Sequence, residues 1–521
     1  MSTQTITIIF LVIYGVVMLA VGLMSISKTK TMNEFLLGGR KIGPWMSAFA
    51  YGTTYFSAVI FIGYAGRIGW GIGIGSVLIG VGNALLGSLL AWLLLANKTR
   101  VMTHNLGART MPEFFKARYN SNGMKAFAAI VIFIFLVPYS ASVYTGLSYL
   151  FNCVFPGVSM NTWMLIIAAL TAIYLVLGGY IATAMTDFIQ GIVMIVGVVL
   201  LVAFITTNPA VGGIANGIDK LKAITPNGHD LVSIWGGKNW LSLLSLIVLT
   251  SLGAWGLPQM IHKFYAIKDK KSIKSATVIS TLFALLIAGG AYLVGSFGRL
   301  ILNNAAPLLQ NGKINFDAII PDVLVKALSV NVWSNIVFSI IILLVLSASM
   351  STLASLVLVS SSAITVDLAS FFGKKEENKQ SMFFMRIVCF LFIALSYIFA
   401  SMNVGFIIEM MSFSWGTVAG CFLGAYIWGL YWKGTTKLGA WAGMIAGFST
   451  TIMLILVTTF TADSVSAGFT AAKGNAPLFG MYAMIVSLVA VPLVSLITPK
   501  FSKEHNDMVF TDSMETEQSA N

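Results

Sequence analysis

The stretch 345–367, VLSASMSTLASLVLVSSSAITVD, carries Ser347, Ser351, Thr352 and Ser355. On a helix, residues four apart share a face, so Ser347, Ser351 and Ser355 form one hydroxyl stripe with Thr352 beside it. Hydroxyl oxygens, joined by carbonyls freed from a broken helix, are ligands for a hard cation such as sodium, and they need no full buried charge. The same spacing also serves hydroxyls that bond back to their own helix, and that use stays open. Two acids lie within apolar runs, Asp187 in GGYIATAMTDFIQ and Glu409 before MMSFSWGTVAGCF. Charge at such depth is costly and marks function. Asp187, near an inner helix end, is placed to meet a cation or a proton; Glu409, near the outer surface, reads as structural or gating.

Aromatics with a few polar neighbours make small-solute pockets. Tyr139 and Tyr144 sit in FLVPYSASVYTGLSYLF, Trp255 and Gln259 in VLTSLGAWGLPQMIHKF, Trp415 in MMSFSWGTVAGCF, and Ser57 in AFAYGTTYFSAVIFIGYAG. Chemistry of other kinds is missing. The four histidines (His104, His229, His262, His505) have no metal-ligand spacing, no nucleophile–base set occurs, and GIGIGSVLIG has no preceding strand to make it a phosphate loop. These residues argue for a carrier rather than an enzyme, with no organic cofactor.

The elements that must hold such residues are set by composition. A 521-residue chain that is 57% hydrophobic and 9% charged, with a mean hydropathy of +0.89, has too much apolar surface for one water-soluble core. Its solvent is the lipid bilayer. About thirteen runs are long enough to span it, near 6–26, 44–66, 71–96, 124–152, 162–180, 182–206, 239–262, 272–302, 332–368, 382–400, 404–431, 436–460 and 477–498. The first is too long for a signal-peptide core and is expected to stay in the protein. Residues 1–500 then form a single membrane transport domain, and 501–521, polar and acidic, a disordered tail. The basic stretch 98–118 is expected to lie along the inner surface. Cys153, Cys389 and Cys421 fall in or beside apolar runs, which argues against a disulfide framework.

Net charge is +13, yet its placement speaks against nucleic acid. With the N-terminus outside and spans alternating, 23 of the 31 basic residues fall on inward loops, which is the positive-inside distribution of a multi-pass plasma-membrane protein with a cytoplasmic C-terminus. Two spans carry helix breakers at matching places. Gly52, Thr53, Thr54 and Ser57 interrupt span 2; Gly253, Gly256 and Pro258 interrupt span 7. If spans 2–6 (about 44–206) and 7–11 (about 239–431) are five-helix units, they are inverted repeats, the plan of alternating-access carriers.

The strings LLGGRKIGPW, RTMPEFFKARYN, YLVLGGYIATAMTDFIQ and SASMSTLASLVLVSSSAITVDL, in this order over roughly residues 5–500, resemble the solute:sodium symporter family, its bacterial proline carriers most of all. The resemblance implies an all-α membrane protein with a five-plus-five inverted-repeat, leucine-transporter-like core. It also implies sodium held by the carbonyls of Thr53, Phe56 and Ala348 and the hydroxyls of Ser351 and Thr352, and a second cation position at Asp187 and Ser355. Ala354 replaces a hydroxyl residue of that second position. Tyr55 stands where proline carriers have an aspartate, Ala58 where they have glycine, and span 4 lacks the arginine of sialic-acid carriers. The expected function is sodium-driven uptake of a small organic solute, an amino acid (proline-like) or a monocarboxylate. The alternatives are proton coupling through Asp187 and a carrier-like solute sensor.

Overall fold

The computed structural model describes residues 2–26, 31–224, 230–309, 311–328, 331–372 and 379–511. In hydrocarbon every backbone group must find its partner within the protein, and helices do this segment by segment. Accordingly the described residues hold helices and two isolated bridges, with no strand. Among the described residues, eleven helices are long and apolar enough to cross a membrane. The expected spans 2 and 5 are not separate members of that set.

The chain begins with α1 (Thr3–Ile26). Span 2 is cut: α2 (Pro44–Tyr55) stops at Phe56 and Ser57, and a wide turn, Val59–Tyr64, leads into α3 (Ala65–Ile72). Gly73, at φ +71°, adopts a backbone that side-chain-bearing residues rarely tolerate. Then α4 (Val77–Gly82) continues as a wide helix to Ala96. Next come α5 (Met111–Tyr119), α6 (Asn122–Val154) and α7 (Met160–Thr207), the last broken at Gly179, φ +57° and ψ −157°. Its first part contains the short apolar helix Met160–Ile173, where span 5 was expected.

The second half repeats the plan. Helix α8 (Trp240–Ser251) gives way to a tight turn at Gly253–Trp255, and α9 (Pro258–Ala266) restarts with proline at its first position, where a missing N–H costs nothing. There follow α10 (Lys270–Ile301), α11 (Val332–Ser362), α12 (Lys379–Ser401), α13 (Ile407–Tyr431), α14 (Lys437–Phe460), α15 (Ala476–Ile497) and α16 (Lys503–Phe510). Polar caps start the helices that leave loops: Ser121, Ser159, Asp269 and Asn331 each accept an N–H of the first turn.

Helix α10 lies along both passes that flank Gly73. Gly52 faces Phe283 and Gly69 faces Gly295, whereas Gly80 faces Gly289 and Ser88 bonds Ser280 at 3.0 Å. The pairings climb on one side and descend on the other, so the chain reverses at Gly73. Small residues allow these approaches, as they do where Gly416, Gly420 and Gly424, one helical turn apart on α13, meet Gly480, Ala483 and Ser487 of α15.

Two expectations need correction. The tail expected to be disordered from residue 501 contains α16, capped by Ser502 and seated through the fully buried Val509. The Arg118 guanidinium stacks on Phe510 at 5.1 Å and Phe501 at 5.7 Å, and the Arg118 carbonyl meets His505 Nε2 at 2.9 Å. Local polarity hid these tertiary contacts; residues 512–521 lie outside the described set. Likewise 98–118 does not simply lie on the surface. Within α5, Met111, Phe114, Phe115, Arg118 and Tyr119 are buried, and Arg118 donates to the carbonyls of Gly429 (2.9 Å), in the last turn of α13, and Trp432 (3.2 Å), just past its end.

Candidate functional site

A helix that stops inside a membrane leaves its last carbonyls without amide partners and with partial negative charge. Helix α2 ends this way, and α11 crosses its end. Ser351 Oγ donates to Thr53 O at 2.8 Å and lies 3.2 Å from Ala348 O. Thr352 Oγ1 is 3.0 Å from Ala348 O, 3.3 Å from Thr53 O and 3.2 Å from Thr54 O. Five oxygens thus converge, and all these residues are buried. Four of the expected ligands, Thr53, Ala348, Ser351 and Thr352, come together. Phe56 is next to them at the break, its N–H bound to Gly52 O at 3.3 Å, but the carbonyl meeting Thr352 is that of Thr54. A hydroxyl that now donates to a carbonyl keeps two lone pairs for a cation.

Asp187 and Ser355 also lie together, with an unforeseen third member. Lys263 of α9 places Nζ 2.9 Å from Ser355 Oγ and 3.7 Å from Asp187 Oδ2, while Ser355 Oγ is 2.9 Å from Thr54 Oγ1. Lys263 counts among the 23 inward-loop basic residues in the sequence because the expected span 239–262 ends one residue before it. Hydropathy alone could not show that all of α9 is buried, His262 and Lys263 included, although Met260, Ile261, Phe264, Tyr265 and Ala266 around them are apolar or aromatic.

Beside the α2 break is a tightly closed cavity, its free space only about 20 Å³ in this conformation. Ser57, Tyr139 and Trp415 line it, with Tyr55, Phe56, Tyr64, Asn83, Thr250, Tyr292 and Met411 among the other walls. No charged side chain lines it. Trp415 stacks on Tyr55 (6.2 Å between ring centres) and meets Tyr139 edge-on (5.7 Å). Asn83 Nδ2 donates to Tyr55 OH (3.1 Å) and Thr250 Oγ1 (2.9 Å), fixing the wall. Tyr144, Trp255 and Gln259 are not in the lining. Trp255 Nε1 instead donates to Leu86 O at 2.9 Å. Tyr144 and Gln259 are buried, and their polar atoms have no hydrogen-bond partner among the described residues. Asn83 was missed as a lone polar residue in an apolar run, and Thr250 because it and Ser251 lie a turn before the glycines and proline that marked the break.

Glu409 closes the N-terminal end of α13. It pairs with Arg67 at 3.1 Å and Lys473 at 3.9 Å, joining α3, α13 and the loop helix before α15. Beneath it, Asp317 Oδ2 accepts the Ile407 N–H at the start of α13 (3.1 Å). Burial pushes the Asp317 carboxyl up to about 7, against the pull of that amide and Arg67. At the other end Lys125 lies 3.6 Å from Asp367, whose Oδ1 also accepts from Thr110 at 2.9 Å. No group of three or more His, Cys, Asp or Glu suited to a metal occurs among the described residues.

A broken-helix oxygen cluster beside a closed aromatic cavity is the layout of an ion-coupled carrier, and comparison with known proteins agrees. The osmoregulated proline transporter of Bacillus subtilis is 29% identical over 505 residues, covering 95% of this chain and 96% of the relative. The sodium/proline symporter of Escherichia coli is 30% identical over 457 residues, 87% of this chain and 88% of the relative. The structure of a sodium-coupled sialic acid symporter superposes with a TM-score of 0.73 at 18% identity, over 95% of this chain and 99% of that one, which shows the shared fold. The model of the sodium:solute symporter family matches residues 35–447. The chain belongs to the sodium:solute symporter family.

Proposed function

We propose that this sodium-coupled symporter carries a small zwitterionic amino acid, proline-like in size, in the cavity between Ser57, Tyr139 and Trp415. The observation that carries this is the absence of any charged side chain from a closed cavity walled by aromatics and hydroxyls. A solute of net charge would lack a counter-charge there, whereas a zwitterion brings its own. Its carboxylate suits the amide end of the resumed helix at Ser57–Val59, and its ammonium suits aromatic faces and the carbonyl end of α2. The relatives named as proline carriers support the same choice. The missing span-4 arginine argues against sialic acid.

Sodium binds the cluster of Thr53, Ala348, Ser351 and Thr352, with Thr54 in addition and Phe56 at its edge. Each sodium that enters with one positive charge contributes about 2.3 kcal/mol per 100 mV. The basic-residue distribution supports an N-terminus outside and a C-terminus in the cytoplasm of a plasma membrane. Cysteines introduced at Lys220 and Lys437 test this: an impermeant maleimide should label only the first in whole cells.

The substrate test is competition against sodium-driven uptake of radiolabelled L-proline in proteoliposomes. Zwitterionic amino acids should compete, and lactate, acetate and sugars should not. Competition by monocarboxylates alone would overturn the zwitterion assignment.

A further inference from the structure

We propose that the Lys263 ammonium is a resident cation filling the position beside Asp187, so that the chain binds a single sodium ion per cycle. This rests on the sodium seat proposed above. Four helices meet at this point: Asp187 comes from α7, Lys263 from α9, Ser355 from α11 and Thr54 from α2. The carboxylate and the two hydroxyls would make an oxygen cage for a cation, and the cage already holds one. Lys263 Nζ donates to Ser355 Oγ at 2.9 Å, lies 3.7 Å from Asp187 Oδ2 and stands 5.1 Å over the Tyr180 ring. Its side chain is 2% exposed and that of Asp187 is 1% exposed, so neither charge is balanced by water.

The geometry is specific in three respects. Neither Asp187 oxygen accepts a hydrogen bond among the described residues, so the ammonium is the group that balances it. A lysine ammonium only donates, so Ser355 Oγ accepts from it, and the same oxygen shares a hydrogen bond with Thr54 Oγ1, 2.9 Å away, which links the two hydroxyls. Thr54 in turn offers its carbonyl to Thr352 at 3.2 Å, so the tethered cation and the sodium seat share a residue. A free cation entering the Asp187 cage would share it with a like charge that cannot leave. Removing the lysine would instead strand a buried carboxylate, which a sodium ion can neutralise.

Saturation binding of ²²Na⁺ to the detergent-purified full chain tests this without knowledge of the solute. Expected are one ion per chain for the wild type, two for Lys263→Met, and one again for Lys263→Met combined with Asp187→Asn. Two ions on the wild type, or one on a monodisperse Lys263→Met, overturns the proposal. Should Lys263→Met aggregate, the wild-type count still decides, and the double variant, free of any unpaired buried charge, must bind one ion. Failure of the seat itself reads differently: a wild type that binds one ion and a Ser351→Ala, Thr352→Ala variant that also binds one would place the ion elsewhere.

Discussion

Ser351→Ala removes an oxygen that contacts two carbonyls at 2.8 and 3.2 Å, and Thr352→Ala one that contacts three between 3.0 and 3.3 Å. If both hydroxyls turn a lone pair to sodium, each loss costs about 1.5–3 kcal/mol, the usual worth of a polar contact to a charge. At about 1.4 kcal/mol per factor of ten, each single variant should raise the sodium concentration for half-saturation by about 10- to 150-fold. Because the two hydroxyls share the Thr53 and Ala348 carbonyls, the double variant should fall short of the product of the singles. Folding itself should lose only about 1 kcal/mol per deleted hydrogen bond. Thr352→Ser keeps the oxygen and should stay within a fewfold of the wild type, which separates ligation from bulk. Melting temperature measured against sodium concentration reads the affinity by linkage. Unchanged sodium midpoints in both alanine variants, with intact folding, would refute the seat.

Three further outcomes follow from other parts of the molecule. Ser57→Ala and Tyr139→Phe should weaken solute binding about tenfold, and the solute's enhancement of sodium affinity should equal sodium's enhancement of solute affinity, since coupling is reciprocal; unequal factors at equilibrium would contradict a shared two-site mechanism. Asp317, pushed from the ordinary 3.8 to about 7, holds a proton in the folded chain that the unfolded chain has released between those values. Stability should therefore be greatest at the acidic end and decline as pH rises toward 7, by on the order of 1 kcal/mol per unit. Asp317→Asn should flatten melting temperature between pH 4 and 7; an unchanged slope would disprove the assignment. Gly73→Ala forces a side chain into positive φ and against the Leu231 carbonyl, and should abolish monodisperse protein in size-exclusion chromatography, whereas normal yield would contradict the reversal at Gly73.

Much of this was legible in the sequence because the bilayer simplifies the signals. Runs of about 20 apolar residues, Gly253, Gly256 and Pro258 in span 7, and the hydroxyl stripe of α11 are local features, and each lies where its period or breaker put it. In span 2 the break falls at Phe56 and Ser57, slightly beyond Gly52, because Gly52 serves instead to admit the Phe283 ring. What depended on contact between distant segments was hidden. Lys263 looks like a loop lysine until α9 brings it against Asp187. Trp255 and Gln259 share the second break with it, yet helix rotation turns them away from the cavity. Asn83 sits among leucines and glycines with no local sign that Tyr55 and Thr250 will meet it. The docking of α16 was hidden for the same reason: its buried anchor, Val509, stands with only Met508 and Phe510 in an otherwise polar run.

The central claim is sodium-coupled, electrogenic uptake, and proteoliposomes holding the purified chain test it most directly. With an inward sodium gradient and an interior held about 100 mV negative, radiolabelled L-proline should accumulate, and the potential alone should account for about a 50-fold gradient per charge moved. Replacing sodium by potassium or choline should abolish it, and Ser351→Ala should shift its sodium dependence upward. Accumulation that persists without sodium and follows a proton gradient would contradict the account.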